Sequence, residues 1–116
     1  MLSPYVVPGI DSEIKVMKPV FLDVCYNVIQ EETGVTKEQI QSRIRQRPFV
    51  DAKKVISRVL RKYTRTTLEA IASEFNVDHS TIVHYTKTFS QLYDNEPYFT
   101  NLYDKVELSL IENQLI

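Results

Sequence analysis

A chain of 116 residues is the size of one domain, with room for one substantial core and not for two. Hydrophobic residues at 43% and charged residues at 25% are ordinary for a globular domain, and no apolar run approaches the length of a membrane span. The N-terminus lacks the basic and then apolar pattern of a secretion signal, and the lone Cys25 can form no internal disulfide, so the expected compartment is the cytoplasm.

The formal net charge of −1 argues by itself against nucleic acid, but it averages over a strong asymmetry. Nine of the fourteen bases and one of the fifteen acids fall between Gln41 and Arg65. Clustering of this kind, more than overall charge, produces a field that attracts phosphates. A solvated helix face or a contact with an acidic protein surface would carry the same run.

Only two glycines interrupt the chain and no alternating strand pattern occurs, so an all-α fold of about six helices is expected. Residues 1–18, with Pro4, Pro8 and Gly9, read as an extended arm. Residues 19–93 read as the principal domain and residues 94–116 as a C-terminal amphipathic helix.

A first helix is predicted from about Lys18 or Pro19 to Thr33, with Val20, Phe21, Val24, Cys25 and Val28 as its apolar stripe and Gly34 as its stop. Thr36 and Gln39 form a capping box, with Val35 and Ile40 as a staple, for a short helix ending near Ile44. A loop bearing Arg43, Arg45 and Arg47 closes at Pro48. The next helix, Phe49 to Thr64, turns Phe49, Ala52, Ile56, Val59 and Tyr63 inward and repeats Lys54, Arg58, Arg61 and Arg65 along another face.

From Thr66 the sequence reads TTLEAIASEFNVDHSTIVHYTKTF. Thr66 and Glu69 make a second capping box for a short helix with Leu68, Ile71, Ala72 and Phe75 inside. Asn76 and Val77 break the chain, and Asp78 caps a further helix from His79 to about Tyr93. Ala72 is a small residue at a close helix crossing. Asn76, four positions on, tolerates the left-handed conformation. Val77 and Ile82 are apolar anchors. This is helix-turn-helix spacing, although helical hairpins in unrelated bundles share it.

The remaining face of the last helix carries His79, Ser80, Thr81 and His84, short polar side chains able to reach base edges in a major groove, with Lys87 a turn beyond for the backbone. Duplex DNA is therefore the expected partner. Beyond Leu92, Phe99, Leu102, Val106 and Leu110 form an apolar stripe that either packs back on the core or makes a homodimer, with Tyr98, Tyr103, Leu108 and Ile111 in addition.

Enzymatic chemistry finds no support. Two histidines and one cysteine do not make a structural zinc site, and His79 and His84, five apart, lie on different faces. Asp78, Ser80 and His84 lack triad geometry and an oxyanion donor. No phosphate-binding loop of the form G-x-x-x-x-G-K-[ST] is found. No cofactor, metal, membrane or small-molecule substrate is expected.

The stretch from Pro19 to Leu92 resembles the C-terminal DNA-binding domain of DnaA, the bacterial replication initiator. The run Asp78, His79, Ser80, Thr81, Ile82, Val83 and His84 matches that family's Asp-His-(Ser/Thr)-Thr-Val-Leu-His recognition run. Arg45, Arg47, Val50, Ala52, Lys53 and Lys54 follow its basic loop and helix, and Thr67, Leu68 and Ile71 follow the segment before the turn. The resemblance implies that Asp78, His79, Ser80 and Thr81 read bases in the major groove. It implies that Arg45, with Arg47 next, enters the minor groove, and that Lys53, Lys54, Arg61 and Thr67 hold phosphates, with Lys53 or Lys54 close to a base. Arg43, Arg58, Arg65 and Lys87 complete the expected backbone contacts.

Two departures stand out. The family's Gly-Gly-Arg before the aspartate is here Asn76-Val77, one residue shorter, and its Arg-Gln pair is Lys53-Lys54, which loses a forked donor. The implied protein is a free-standing DNA-binding domain of bacterial or phage origin, associated with the nucleoid and acting in replication initiation or its regulation. A transcriptional regulator with another operator, or a protein-interaction module using the basic helix, are the other readings.

Overall fold

The computed structural model describes the backbone from Ile10 to Ile116 and the side chains from Val20 onward. Six helices follow one another: α1 (Ile10–Thr33), α2 (Lys37–Ile40), α3 (Arg47–Tyr63), α4 (Leu68–Phe75), α5 (His79–Asn95) and α6 (Pro97–Glu112). No strand occurs among the described residues, and none of these helices is long and apolar enough to cross a membrane.

The first helix begins at Ile10, not near Pro19, so the expected extended arm is corrected over residues 10–18; its first nine residues lie outside the described part. The physical reason is visible in the sequence: residues 10–18 contain neither proline nor glycine, so no residue among them breaks a helix. At the other end Gly34 takes φ +78, which only glycine adopts without steric cost, and its amide donates to the Gln30 carbonyl at 2.8 Å.

Thr36 caps α2 in the expected box, its hydroxyl accepting from the Gln39 amide while Gln39 Oε1 accepts from the Thr36 amide. Val35 and Ile40 are both buried, as a staple requires. The helix ends at Ile40, earlier than Ile44, because Ser42 turns back to donate to the Gln39 carbonyl at 2.6 Å.

The cap of α4 also differs from expectation. Thr67, not Thr66, is the N-cap, its hydroxyl accepting from the Ala70 amide at 3.1 Å. Thr66 is buried and its hydroxyl lies 2.7 Å from that of Thr64. The two threonines are adjacent, and burial of Thr66 leaves the cap to Thr67.

One core unites all six helices. Phe21, Cys25 and Ile29 of α1, Val55, Ile56 and Leu60 of α3, Ile71 and Phe75 of α4, Ile82 of α5, and Phe99, Val106 and Leu110 of α6 are buried in a single cluster. Removing such side chains from water is the main driving force for the fold, at roughly 1.5–3 kcal/mol each. Val20, by contrast, is 52% exposed, and Tyr63 points outward to Glu107 rather than inward.

Helix α6 packs against α1, α3 and α5, which joins the last described helix to the first. Phe89 meets Phe99 and Tyr103 edge to face at centroid distances of 5.4 and 5.0 Å, locking the α5–α6 corner. The expected stripe of Phe99, Leu102, Val106 and Leu110 is thus spent on the protein's own core, while Tyr98, Leu108 and Ile111 stay half-exposed.

Candidate nucleic-acid interface

The turn between α4 and α5 has the geometry its residues dictate. Asn76 sits in the left-handed region, φ 56 and ψ 42, and the Val77 amide donates to the Ala72 carbonyl at 3.0 Å. Ala72 and Ile82 are buried and Val77 is packed against the core. Asp78 occupies the N-cap of α5, but no amide of the first turn donates to its carboxylate. The Thr81 amide donates to the Asp78 backbone carbonyl at 3.0 Å, and Asp78 is exposed.

Burial of Ile82, Tyr85 and Phe89 along one side of α5 presents its other side to solvent. His79, Ser80, His84 and Lys87 are exposed there, with Thr81 at the boundary. His79 leans toward the neighbouring helix, its Nε2 lying 3.7 Å from Glu69 Oε2.

The loop between α2 and α3 shares an open cleft with that face. Arg43 and Arg45 of the loop and Asp78, Ser80, Thr81 and His84 at the start of α5 line this one cleft of about 650 Å³. The buried Lys53, Ala72 and Tyr85 line it too. Residues 35 positions apart in the chain are thereby brought into one site. Ile44 and Ser73, which the sequence did not single out, also line it. Ser73 was legible in principle, since it follows Ala72 on the side of α4 that turns away from the core.

The loop's charge is felt by two residues of the cleft. Lys53 is pushed below its usual range by burial and then by the Arg45 charge. Burial raises the Tyr85 phenol, and Arg45 pulls it partly back.

Two of the predicted contact residues are differently employed. Lys53 is only 2% exposed, and its ammonium is spent on the Ser42 carbonyl, to which it donates at 2.7 Å. The sequence signal was available: position 53 lies four after Phe49 and three before Ile56, within the buried face of α3. Arg47 is exposed but engaged, with Nη2 at 2.6 Å from Glu96 Oε1 and 3.2 Å from Asp51 Oδ2. Glu96 is the single residue between α5 and α6, a partner 49 positions away that no local pattern announces.

The basic stripe of α3 runs beside α5. Lys54 Nζ lies 5.7 Å from the Tyr85 ring centroid and the Arg58 guanidinium 4.9 Å from that of Phe89, cation–π distances that fix these side chains while leaving Arg58 exposed. Arg61 donates to the Thr66 carbonyl at 3.1 Å, next to the exposed Thr67 that caps α4. Arg65 is exposed in the connection to α4. Among the described residues no three His, Cys, Asp or Glu side chains come together as a metal site. Burial raises the Cys25 thiol to about 12, which leaves it an unreactive core residue.

Comparison with known proteins agrees with this geometry. The model of the bacterial DnaA protein helix-turn-helix matches residues 23–88, more than half of the chain and all of the cleft. The chromosomal replication initiator protein DnaA of Oleidesulfovibrio alaskensis is 43% identical over 62 residues, 53% of this chain and 13% of that protein. Its counterpart in Flavobacterium psychrophilum is 27% identical over 96 residues, 82% of this chain and 20% of that protein. The chain thus spans a fifth or less of the length of these relatives. No solved structure gives a significant match. The matched family, the turn through Asn76 and the packing of α4 on α5 converge: the chain belongs to the bacterial DnaA helix-turn-helix family.

Proposed function

We propose that this domain binds double-stranded DNA with sequence preference, in replication initiation or its regulation. The observation that carries the reading is one cleft lined both by Arg43 and Arg45 and by Asp78, Ser80, Thr81 and His84. In a duplex, a major groove and its adjacent minor groove are separated by one phosphate ridge. A helix N-terminus in the first and an arginine in the second require a gap between them to straddle that ridge, and this cleft supplies it. His79, Ser80, Thr81 and His84 read base edges, with Asp78 beside them. Arg45 enters the minor groove. Arg43, Lys54, Arg58, Arg61, Arg65, Thr67 and Lys87 hold the backbone.

The test is fluorescence anisotropy of a labelled duplex containing a DnaA box against a scrambled duplex, at about 0.15 M salt and across a salt series. Preference for the box, with a log–log salt slope of about −0.9 per phosphate contacted, is the expected result. Equal, salt-dependent binding to both duplexes would indicate another operator. Absence of binding by the folded protein would overturn the proposal in favour of a protein partner for the basic helix.

A further inference from the structure

The loop that carries Arg43 and Arg45 has no regular structure from Ser42 to Gln46, yet it is held at both ends. At its start the Asn76 side-chain amide donates to the Gln41 carbonyl at 3.0 Å, and the Lys53 ammonium donates to the Ser42 carbonyl at 2.7 Å. At its end Arg47 is tied to Asp51 and Glu96. Between these points only Arg43 to Gln46 are left to place a guanidinium.

We propose that Lys53 is the positioning residue of this loop, setting where Arg45 stands relative to the recognition helix without itself touching DNA. Its ammonium is buried against a backbone carbonyl under the loop. Burying a charge is costly unless it is hydrogen-bonded, so the lysine and the Ser42 carbonyl hold each other in place: moving the loop would strand the charge. A compact ammonium suits this single carbonyl, where a planar guanidinium would need a wider seat. Lys53 and Arg45 line the same cleft, and the carbonyl that Lys53 holds is three residues before Arg45, so the strut acts on the residue it serves through a short stretch of chain.

The proposal rests on the DNA-binding reading for its consequence but not for its structural core, and two experiments separate them. Lys53→Met removes the charge while keeping the length of the side chain. Trypsin cleavage after Arg43 and Arg45 should then accelerate about tenfold, because local opening of a held segment sets its rate, while the circular-dichroism melt shows the helices intact and cleavage elsewhere is unchanged. Unchanged cleavage in the loop would overturn the strut.

In the second experiment, affinity for the preferred duplex is measured for Lys53→Met, Arg45→Ala and the double variant. Lys53→Met should weaken binding about tenfold, the loss of one base contact. In the Arg45→Ala background the same change should cost less than about twofold, because Lys53 acts through Arg45. Full additivity would show that Lys53 makes its own contact with DNA and would overturn the proposal. If the native chain bound no duplex, the DNA reading would fall while the cleavage result still decided the strut. Should the methionine variant melt below the assay temperature, Lys53→Leu, which likewise has no donor for the Ser42 carbonyl, carries the same expectations.

Discussion

The side-chain amide of Asn76 donates to the backbone carbonyl of Gln41 at 3.0 Å, so the turn of the helix-turn-helix and the edge of the arginine loop share one hydrogen bond. Asn76 has two tasks, a left-handed backbone and this donor, and two substitutions separate them. Asn76→Gly keeps the backbone and loses the amide; Asn76→Ala loses both. We expect Asn76→Ala to be less stable than Asn76→Gly by about 1 kcal/mol, the left-handed penalty of a Cβ, in urea unfolding monitored by circular dichroism. Equal stabilities would mean that the turn relaxes when Asn76 is replaced.

Arg45 and Arg47 are distinguished by their partners. Arg45 faces the cleft, whereas Arg47 is bound to Glu96 and Asp51. Arg45→Ala should reduce the salt slope of duplex binding by about 0.9, and Arg47→Ala by less than about half of that. Equal reductions in the salt titration would show that Arg47 leaves its two acids on binding.

Base-reading and backbone-holding residues should separate in the same assay. Thr81→Ala should cost about 1–3 kcal/mol on a preferred duplex and little on a random one. Arg58→Ala should weaken both alike. A Thr81→Ala variant that lost affinity for both duplexes equally would contradict the placement of the α5 N-terminus in the major groove.

Glu107 fastens α6 to the end of α3. Its Oε2 accepts from the hydroxyls of Tyr63 and Tyr103 and from Lys62, the last two at 3.0 and 3.3 Å. Burial alone would raise this carboxyl, but those three donors outweigh it and hold it below the ordinary carboxylate range. A carboxyl lowered on folding stabilises the native state above its unfolded value and loses that contribution as pH falls through its folded value. Glu107→Gln should therefore cost about 1–2 kcal/mol at pH 7 and progressively less below about pH 4, read from urea midpoints at the two pH values. A cost independent of pH would show that the charge contributes nothing.

Local chemistry made much of this fold legible. Gly34, the Thr36–Gln39 box and Asn76 each announce a backbone conformation through a residue that is unusually suited to it. The stripe Phe99, Leu102, Val106 and Leu110 announced α6 through its period. What escaped were pairings set by tertiary structure. The Arg47–Glu96 and Tyr63–Glu107 contacts span 49 and 44 positions. The network in which Tyr26 and Gln41 both donate to Glu74, at 2.7 and 3.0 Å, joins three separate elements. Lys53 is a different case: residue type suggests surface, while its position on α3 specifies burial, and position prevails. The same competition placed Thr66 inside and gave the cap of α4 to Thr67.

Helix α5 divides its labour by face. Ile82, Tyr85 and Phe89 lie inside and fix its rotation, so the direction in which Ser80 and His84 point is set by the core and not by the length of the turn before it. The outward positions bear little of the stability, and exposed substitutions of this kind usually shift it by less than about 0.5 kcal/mol. The fold accordingly tolerates exchange of the letters at Ser80 and His84, so the chemistry of this outward face can change without passing through an unfolded ancestor.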